Sequence, residues 1–327
     1  MVSSTFPNIA TFSADGVLFD MDGTLTDSIA AVEAAWTAKA LELGLEPEIV
    51  IAATHGRRAS DNLMELVPGM KKEHIDGEVD RFERSILAFA DTPPHSRKSS
   101  FASLRTSSPS TSGSSQSSFG PLTPLTSVAD GPRRPSSYLS NNIALAFSKF
   151  KMDDSNDKVV IAQDSPFEEE SEEINDPEEV DEVVDMSVRI LPGVRELIKS
   201  LPTGKYAVAT SGAKTYCHGC LTRTGIVIPD VCVTADDVRL LRGKPFPDPF
   251  LLAAKDLGVD PKRAVIFEDS PSGIKAAVAA GSTVIAVCTS HKREQISHLG
   301  AHYVVDTMDQ VKVELAENGG LNFTIVH

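Results

Sequence analysis

Short apolar runs with a β-branched bias recur along this chain: GVLFD at 16–20, YAVATS at 206–211, AVIFED at 264–269, STVIAV at 282–287 and HYVVD at 302–306. Each has the length of a buried strand and is separated from the next by helix-like spacing, as strand–helix–strand winding requires. Two helix starts are marked, at Asp248-Pro249 and Ser270-Pro271, where a capping side chain precedes a proline suited to the first helical position. The apolar spacing that follows closes on Gly258 and on Gly281. The pattern predicts an α/β fold with a doubly wound, parallel-sheet core.

The first run is separated from the second by far more chain than one crossover needs. Residues 30–90 read as helical, most clearly in AAVEAAWTAKALELG at 30–44 and VDRFERSILAFA at 79–90. A helical cap inserted after the first strand is the expected arrangement. Between 96 and 140 there are sixteen serines, several prolines and little apolar content, and an acidic run follows. Such composition buries too little surface to offset the entropy of ordering it, so 92–186 is expected to be mostly disordered. The expected organisation is therefore a core piece at 12–28, a helical cap at 29–91, a low-complexity insertion at 92–186 and the remaining core at 187–327.

Charge refines this picture. The chain of 327 residues carries a formal charge of −15, but twelve of its acids and no base fall between Asp164 and Asp185. The remainder is therefore close to neutral, at about −3, and offers no basic face for nucleic acid. No apolar run is long enough to span a membrane, and the N-terminal stretch MVSSTFPNIATFSADG has no signal-peptide pattern, so a cytoplasmic protein is expected. Four cysteines in so long a chain make no disulfide framework. Cys217 and Cys220 have C-x-x-C spacing, yet no second ligand pair lies nearby in sequence, and they read as incidental thiols.

The chemistry concentrates where strands end. In VLFDMDGTLTDS at 17–28 an apolar strand delivers Asp20 and Asp22 to its C-terminal end, which is where open α/β sheets place their sites. One carboxylate could attack while the other handles a proton. Glu268 and Asp269 end another strand, and two acidic strand ends beside an anionic substrate call for a hard cation, magnesium. Thr210 and Ser211 offer hydroxyl and backbone donors to phosphate oxygens. Lys244 adds the charge that would neutralise nucleophile and transferring group.

These four segments, DMDGTLTDS at 20–28, VATSG at 208–212, GKPFPD at 243–248 and FEDSPSG at 267–273, resemble the haloacid dehalogenase superfamily of aspartate-nucleophile phosphohydrolases in content and order. The resemblance implies that Asp20 forms an aspartyl-phosphate and that Asp22 protonates the leaving alcohol and later activates water. It implies that Thr210 and Ser211 bind the phosphoryl oxygens while Lys244 holds phosphate and Asp20 together. Magnesium would take the Asp20 carboxylate, the Asp22 backbone carbonyl and Asp269, with Glu268 in or near its shell. The superfamily's dehalogenases lack an acid two residues after the nucleophile, so Asp22 favours the phosphatase and phosphomutase branches.

The cap segment HGRRASDNL at 55–63 is similar to that of fungal glycerol-phosphate and deoxyglucose-phosphate phosphatases, which implies a small sugar or polyol phosphate as substrate. His55 and Arg57 would then face the core and select substrate hydroxyls or phosphate. Two alternatives stay open: a phosphosugar mutase, whose cap must shield the intermediate from water, and a regulatory protein acting through its serine-rich and acidic insertion. RRPSSYLS at 133–140 sets basic residues before serines, so a kinase or other protein partner through 92–186 is a further expectation.

Overall fold

The computed structural model describes residues 9–91 and 187–326. The described chain opens with β1 (Ile9–Ala14), β2 (Gly16–Phe19) and the two-residue β3 (Thr26–Asp27). Four helices follow: α1 (Ile29–Leu43), α2 (Pro47–Thr54), α3 (Ala59–Leu66) and α4 (Ile75–Asp91). From 187 onward the order is β4 (Arg189–Ile190), α5 (Val194–Ser200), β5 (Tyr206–Ala209), α6 (Lys214–Thr224), β6 (Cys232–Val233) and α7 (Asp248–Leu257). Then come β7 (Ala264–Glu268), α8 (Pro271–Ala280), β8 (Thr283–Val287), α9 (Arg293–Ile296), β9 (Tyr303–Val305), β10 (Val311–Leu315) and β11 (Leu321–Val326).

The main sheet has six parallel strands in the order β6-β5-β2-β7-β8-β9. All five apolar runs are strands of this sheet, and its edge strand β6 escaped the sequence reading because two residues carry no periodicity. Alternate residues of one strand enter different cores: Val17 and Phe19 pack with Val265 and Phe267, whereas Leu18 packs with Ala207 and Ile266. Burial on both faces explains why these strands are continuously apolar. Phe19 and Phe267, neighbours in register, stack with centroids 5.1 Å apart.

The chain winds outward from β2 through β5 to β6, then restarts on the other side of β2 at β7. The direction therefore reverses between β2 and β7, and the crevice beyond the C-terminal ends of those strands is the natural ligand position.

Residues 29–91 supply α1 to α4, joined at their base by the antiparallel pairing of Thr26 with Ile190 and Asp27 with Arg189. Helix α1 packs on α4 through Trp36 and Phe82, whose ring centroids lie 4.1 Å apart. The insertion expected at 92–186, with its disorder and its partner contacts, lies outside the described residues.

Helix α8 starts as the sequence predicts: Ser270 is the N-cap, its hydroxyl accepts the Gly273 N–H at 3.0 Å, and Pro271 follows. Helix α7 differs by one position. Asp248 is its first residue rather than its cap, and the carboxylate accepts instead from Arg242.

A three-stranded antiparallel sheet, β1-β11-β10, was not expected. Its strands alternate buried and exposed positions, as Leu321, Phe323 and Ile325 do, and a search for continuous apolar runs passes over that pattern. Phe12 stacks between Phe323 and Tyr303, at 5.0 and 5.3 Å, and so ties this sheet to β9.

Candidate active site

The strand ends bring their acids together. Asp20 follows β2 directly, and its N–H donates to Phe267 O at 3.1 Å, so parallel pairing with β7 sets Asp20 opposite Glu268 and Asp269. Lys244 reaches into the gap from the loop before α7 and donates to Asp20 and, at 2.7 Å, to Glu268 Oε1. All three side chains are buried.

Burial pushes the Asp20 carboxyl well above the usual range, against the pull of Lys244. Burial also opposes the charge of Lys244, but Asp20 and Glu268 outweigh it and hold the ammonium above its ordinary value. The lysine is thus a fixed cation between two carboxylates.

Glu268 is fully engaged. Its second oxygen accepts the Asp269 and Ser270 N–H groups, both at 2.9 Å, and the Ser270 hydroxyl at 3.1 Å. Asp269 accepts from Thr24 at 3.0 Å and from Ser290, with His55 Nε2 3.8 Å away. Burial would raise its carboxyl, yet His55, Ser290 and Thr24 together lower it. Gly23, at φ +78°, closes this side: a Cβ there would lie 2.2 Å from Asp269 Oδ2, so the turn and the close approach both require glycine.

Asp22 stands apart from the lysine. Its Oδ1 accepts from Ser28 and, at 2.7 Å, from the Tyr216 hydroxyl on α6. Burial raises this carboxyl and those two donors oppose the rise. Oδ2 accepts no hydrogen bond among the described residues, and Asp22 lines the cleft. The arrangement leaves one acidic oxygen free to carry a proton.

Thr210 and Ser211 follow β5 on the other side of Asp20. The Thr210 hydroxyl accepts the Gly212 N–H at 3.1 Å and keeps its own proton for another acceptor. Ser211 donates at 2.9 Å to the carbonyl of Gly56, a residue from the helical segment. A cleft of about 70 Å³ lies here between core and helices, with Asp20, Asp22 and Ser211 on one wall and Trp36, Phe82 and Ile86 on the other.

His55 and Arg57 both line this cleft, but they behave differently. His55 turns to Asp269 and meets His291 edge to face, with centroids 4.8 Å apart. Arg57 forks onto Glu65 at 2.7 and 3.1 Å, so its charge is engaged within the helical segment. Cys217 and Cys220 are buried on α6 and belong to no metal-ready cluster among the described residues. Contact with Cys232 raises the Cys217 thiol, and burial raises that of Cys220.

Tyr216, Ser290, His291 and Glu83 join the site from outside the four sequence segments, and Thr24 and Ser28 join it from within DMDGTLTDS, where the sequence assigns them no role. Glu83 alone left a readable trace. It falls on the buried stripe of α4 with Phe82, Ile86 and Ala90, where helical periodicity calls for an apolar residue. Its Oε1 accepts the Ala213 N–H at 2.7 Å, and burial lifts its carboxyl to about 7.

Two acidic strand ends joined by a buried lysine define an α/β enzyme with a carboxylate-centred site. The family model of the haloacid dehalogenase-like hydrolases matches residues 14–281, and the chain belongs to that family. It is 26% identical to hexitol phosphatase A of Escherichia coli, over 93% of this chain and 96% of that protein. It is 24% identical to 2-deoxyglucose-6-phosphate phosphatase 1 of Saccharomyces cerevisiae, over 96% of each. Glycerol-1-phosphate phosphohydrolase 2 of the same yeast is 34% identical over 40% of this chain and 54% of its own length.

These names agree with the assignment of the chain to the phosphoric monoester hydrolases. Two solved structures share the fold: a hydrolase from Pseudomonas syringae (TM-score 0.53, 18% identity, 90% of this chain and 94% of that one) and β-phosphoglucomutase from Clostridium difficile (TM-score 0.50, 18% identity, 91% and 93%). Among the described residues no helix is long and apolar enough to cross a membrane.

Proposed function

We propose that the chain is a magnesium-dependent phosphatase of small sugar or polyol phosphates, working through an aspartyl-phosphate on Asp20. The observation that carries this reading is the division of labour between two buried aspartates two residues apart. Asp20 is held by a lysine, while Asp22 is held by two hydroxyls and keeps one oxygen free. The first arrangement suits a nucleophile and the second a proton carrier.

The residues fit the metal that the family implies. Asp20, Glu268 and Asp269 bring carboxylate oxygens to within 4.8 Å of one another, an all-oxygen donor set suited to a hard cation. Asp20, the Asp22 backbone carbonyl and Asp269 would hold it. Glu268, whose oxygens are already engaged, acts beside them by fixing Lys244. Bound magnesium supplies charge neutralisation for phosphate and nucleophile.

An Asp20 oxygen attacks phosphorus as the ester P–O bond breaks, and Asp22 gives its proton to the departing alkoxide. Asp22, now a carboxylate, takes a proton from water, which attacks the same phosphorus and releases Asp20. Thr210, Ser211 and Lys244 hold the phosphoryl oxygens, and the helical segment closes over the site to exclude bulk water. His55 orients Asp269, and with Arg57 it lines the substrate entrance.

The test is phosphate release from glycerol phosphates, 2-deoxyglucose 6-phosphate, hexitol phosphates and a nucleotide, with and without magnesium, beside Asp20→Asn. Release by wild type alone, and only with magnesium, supports the reading. Release that survives Asp20→Asn sinks the covalent mechanism, and a folded wild type inert toward every ester sinks the phosphatase reading.

A further inference from the structure

Glu83 is a carboxyl set among apolar groups, with no cation paired to it among the described residues. Only 7% of its surface is exposed, its neighbours on the cleft wall are Trp36, Phe82 and Ile86, and one oxygen accepts the Ala213 N–H. The other oxygen accepts nothing among the described residues. The acids that face it, Asp22, Asp236 and Asp80, all disfavour its charge. A buried acid in such a setting costs free energy unless a donor completes it, and the cleft is where that donor can enter.

Its position says which part of a substrate arrives there. Asp20, Asp22 and Ser211 line the cleft from the core, and Glu83 lines it from α4, close enough to Asp22 to feel its charge. Among the described residues Arg57 is the one arginine or lysine on the lining, and Glu65 already holds it. With His55 turned to Asp269, the cleft beside Glu83 offers an acceptor and an apolar face, and no free cation among the described residues.

We propose that Glu83 is the hydroxyl-accepting subsite for the leaving alcohol, so that the enzyme selects uncharged polyhydroxyl leaving groups and rejects those bearing a second anion. Ionised above about pH 7, the carboxylate accepts a hydrogen bond from a substrate hydroxyl, and Trp36 and Phe82 cover the carbon skeleton. A leaving group with a carboxylate meets a like charge with no cation to relieve it, which is specificity by exclusion. The proposal rests on the phosphatase reading above, and it sharpens the substrate class.

The experiment compares glycerol phosphate with phosphoglycolate, esters of similar size whose leaving groups are neutral and acidic. Wild type, Glu83→Gln and Glu83→Ala are assayed for kcat/KM at pH 8, where Glu83 is ionised. With magnesium withheld, they are also titrated by fluorescence, since Trp36 is the sole tryptophan and lines the cleft.

Wild type is expected to prefer glycerol phosphate at least tenfold in both readouts. Glu83→Gln, which keeps an acceptor for Ala213 N–H, loses most of that preference by admitting the acid, and Glu83→Ala loses it by weakening glycerol phosphate as well. Preference unchanged in both folded variants overturns the subsite, even if phosphate is released. Selective fluorescence titration without turnover sinks the phosphatase reading and keeps the subsite. The absence of both titration and turnover overturns both.

Discussion

The Tyr216 hydroxyl donates to Asp22 Oδ1 at 2.7 Å from a helix that the sequence motifs did not mark. Tyr216 is buried and lies 194 residues from Asp22 in sequence, yet in space it is one of two donors that leave Asp22 with a single free oxygen. Replacing it by Phe removes the donor and keeps the ring. A hydrogen bond to a charged group contributes about 1.5–3 kcal/mol, so Tyr216→Phe should lower kcat by about ten- to a hundredfold. Steady-state kinetics beside a thermal melt check this: a fall in kcat with an unaltered melt locates the effect in Asp22, and wild-type kcat refutes it.

Lys244 answers two buried carboxylates at once, so its loss should be felt in stability as well as in turnover. Lys244→Met fills most of the volume but leaves Asp20 and Glu268 facing each other without a cation. Breaking a buried pair by removing one partner costs about 3–5 kcal/mol. The variant should melt well below wild type and release no phosphate. An unaltered melting temperature would mean that the carboxylates take up protons and lose nothing by it.

Magnesium should stabilise the fold through Asp269. Asp20, Glu268 and Asp269 converge with one lysine among them, so a divalent cation relieves their repulsion in the native state and has no such site in the unfolded chain. Saturating magnesium should raise the melting temperature of wild type, and Asp269→Asn should remove most of that rise. An equal rise in the variant would place the cation elsewhere.

The parallel core was legible because each of its five long strands is a continuous apolar run, and the site acids were legible because they stand where those runs break. What was hidden depends on approach in space. Thr24 and Ser290 meet at Asp269, and Tyr216 reaches Asp22, through folding that no local spacing encodes, whereas Ser28 approaches Asp22 from within the same segment. Arg57 lines the cleft, as its place in the HGRR segment suggests, but no local spacing shows that Glu65, near the C-terminal end of α3, forks its guanidinium. Glu83 is intermediate: its place on an apolar stripe is a local conflict of the kind that marks functional positions.

That conflict should appear as a pH dependence of stability. Burial lifts the Glu83 carboxyl from the ordinary 4.5 to about 7, so the folded chain holds its proton where the unfolded chain has lost it. Stability therefore falls as pH rises from about 4.5 to about 7, and above that range the loss is complete. At about 1.4 kcal/mol per pH unit, the full span is on the order of 3 kcal/mol. Glu83→Gln keeps the shape and the acceptor for Ala213 N–H but cannot ionise. The other site acids titrate in both proteins and largely cancel in the difference. The melting temperature of Glu83→Gln minus that of wild type should thus be smallest near pH 5, climb by several degrees to pH 7 and level off above pH 8. A difference that stays flat from pH 5 to pH 8 would mean that Glu83 ionises in the fold as readily as in the open chain, with a donor already beside it.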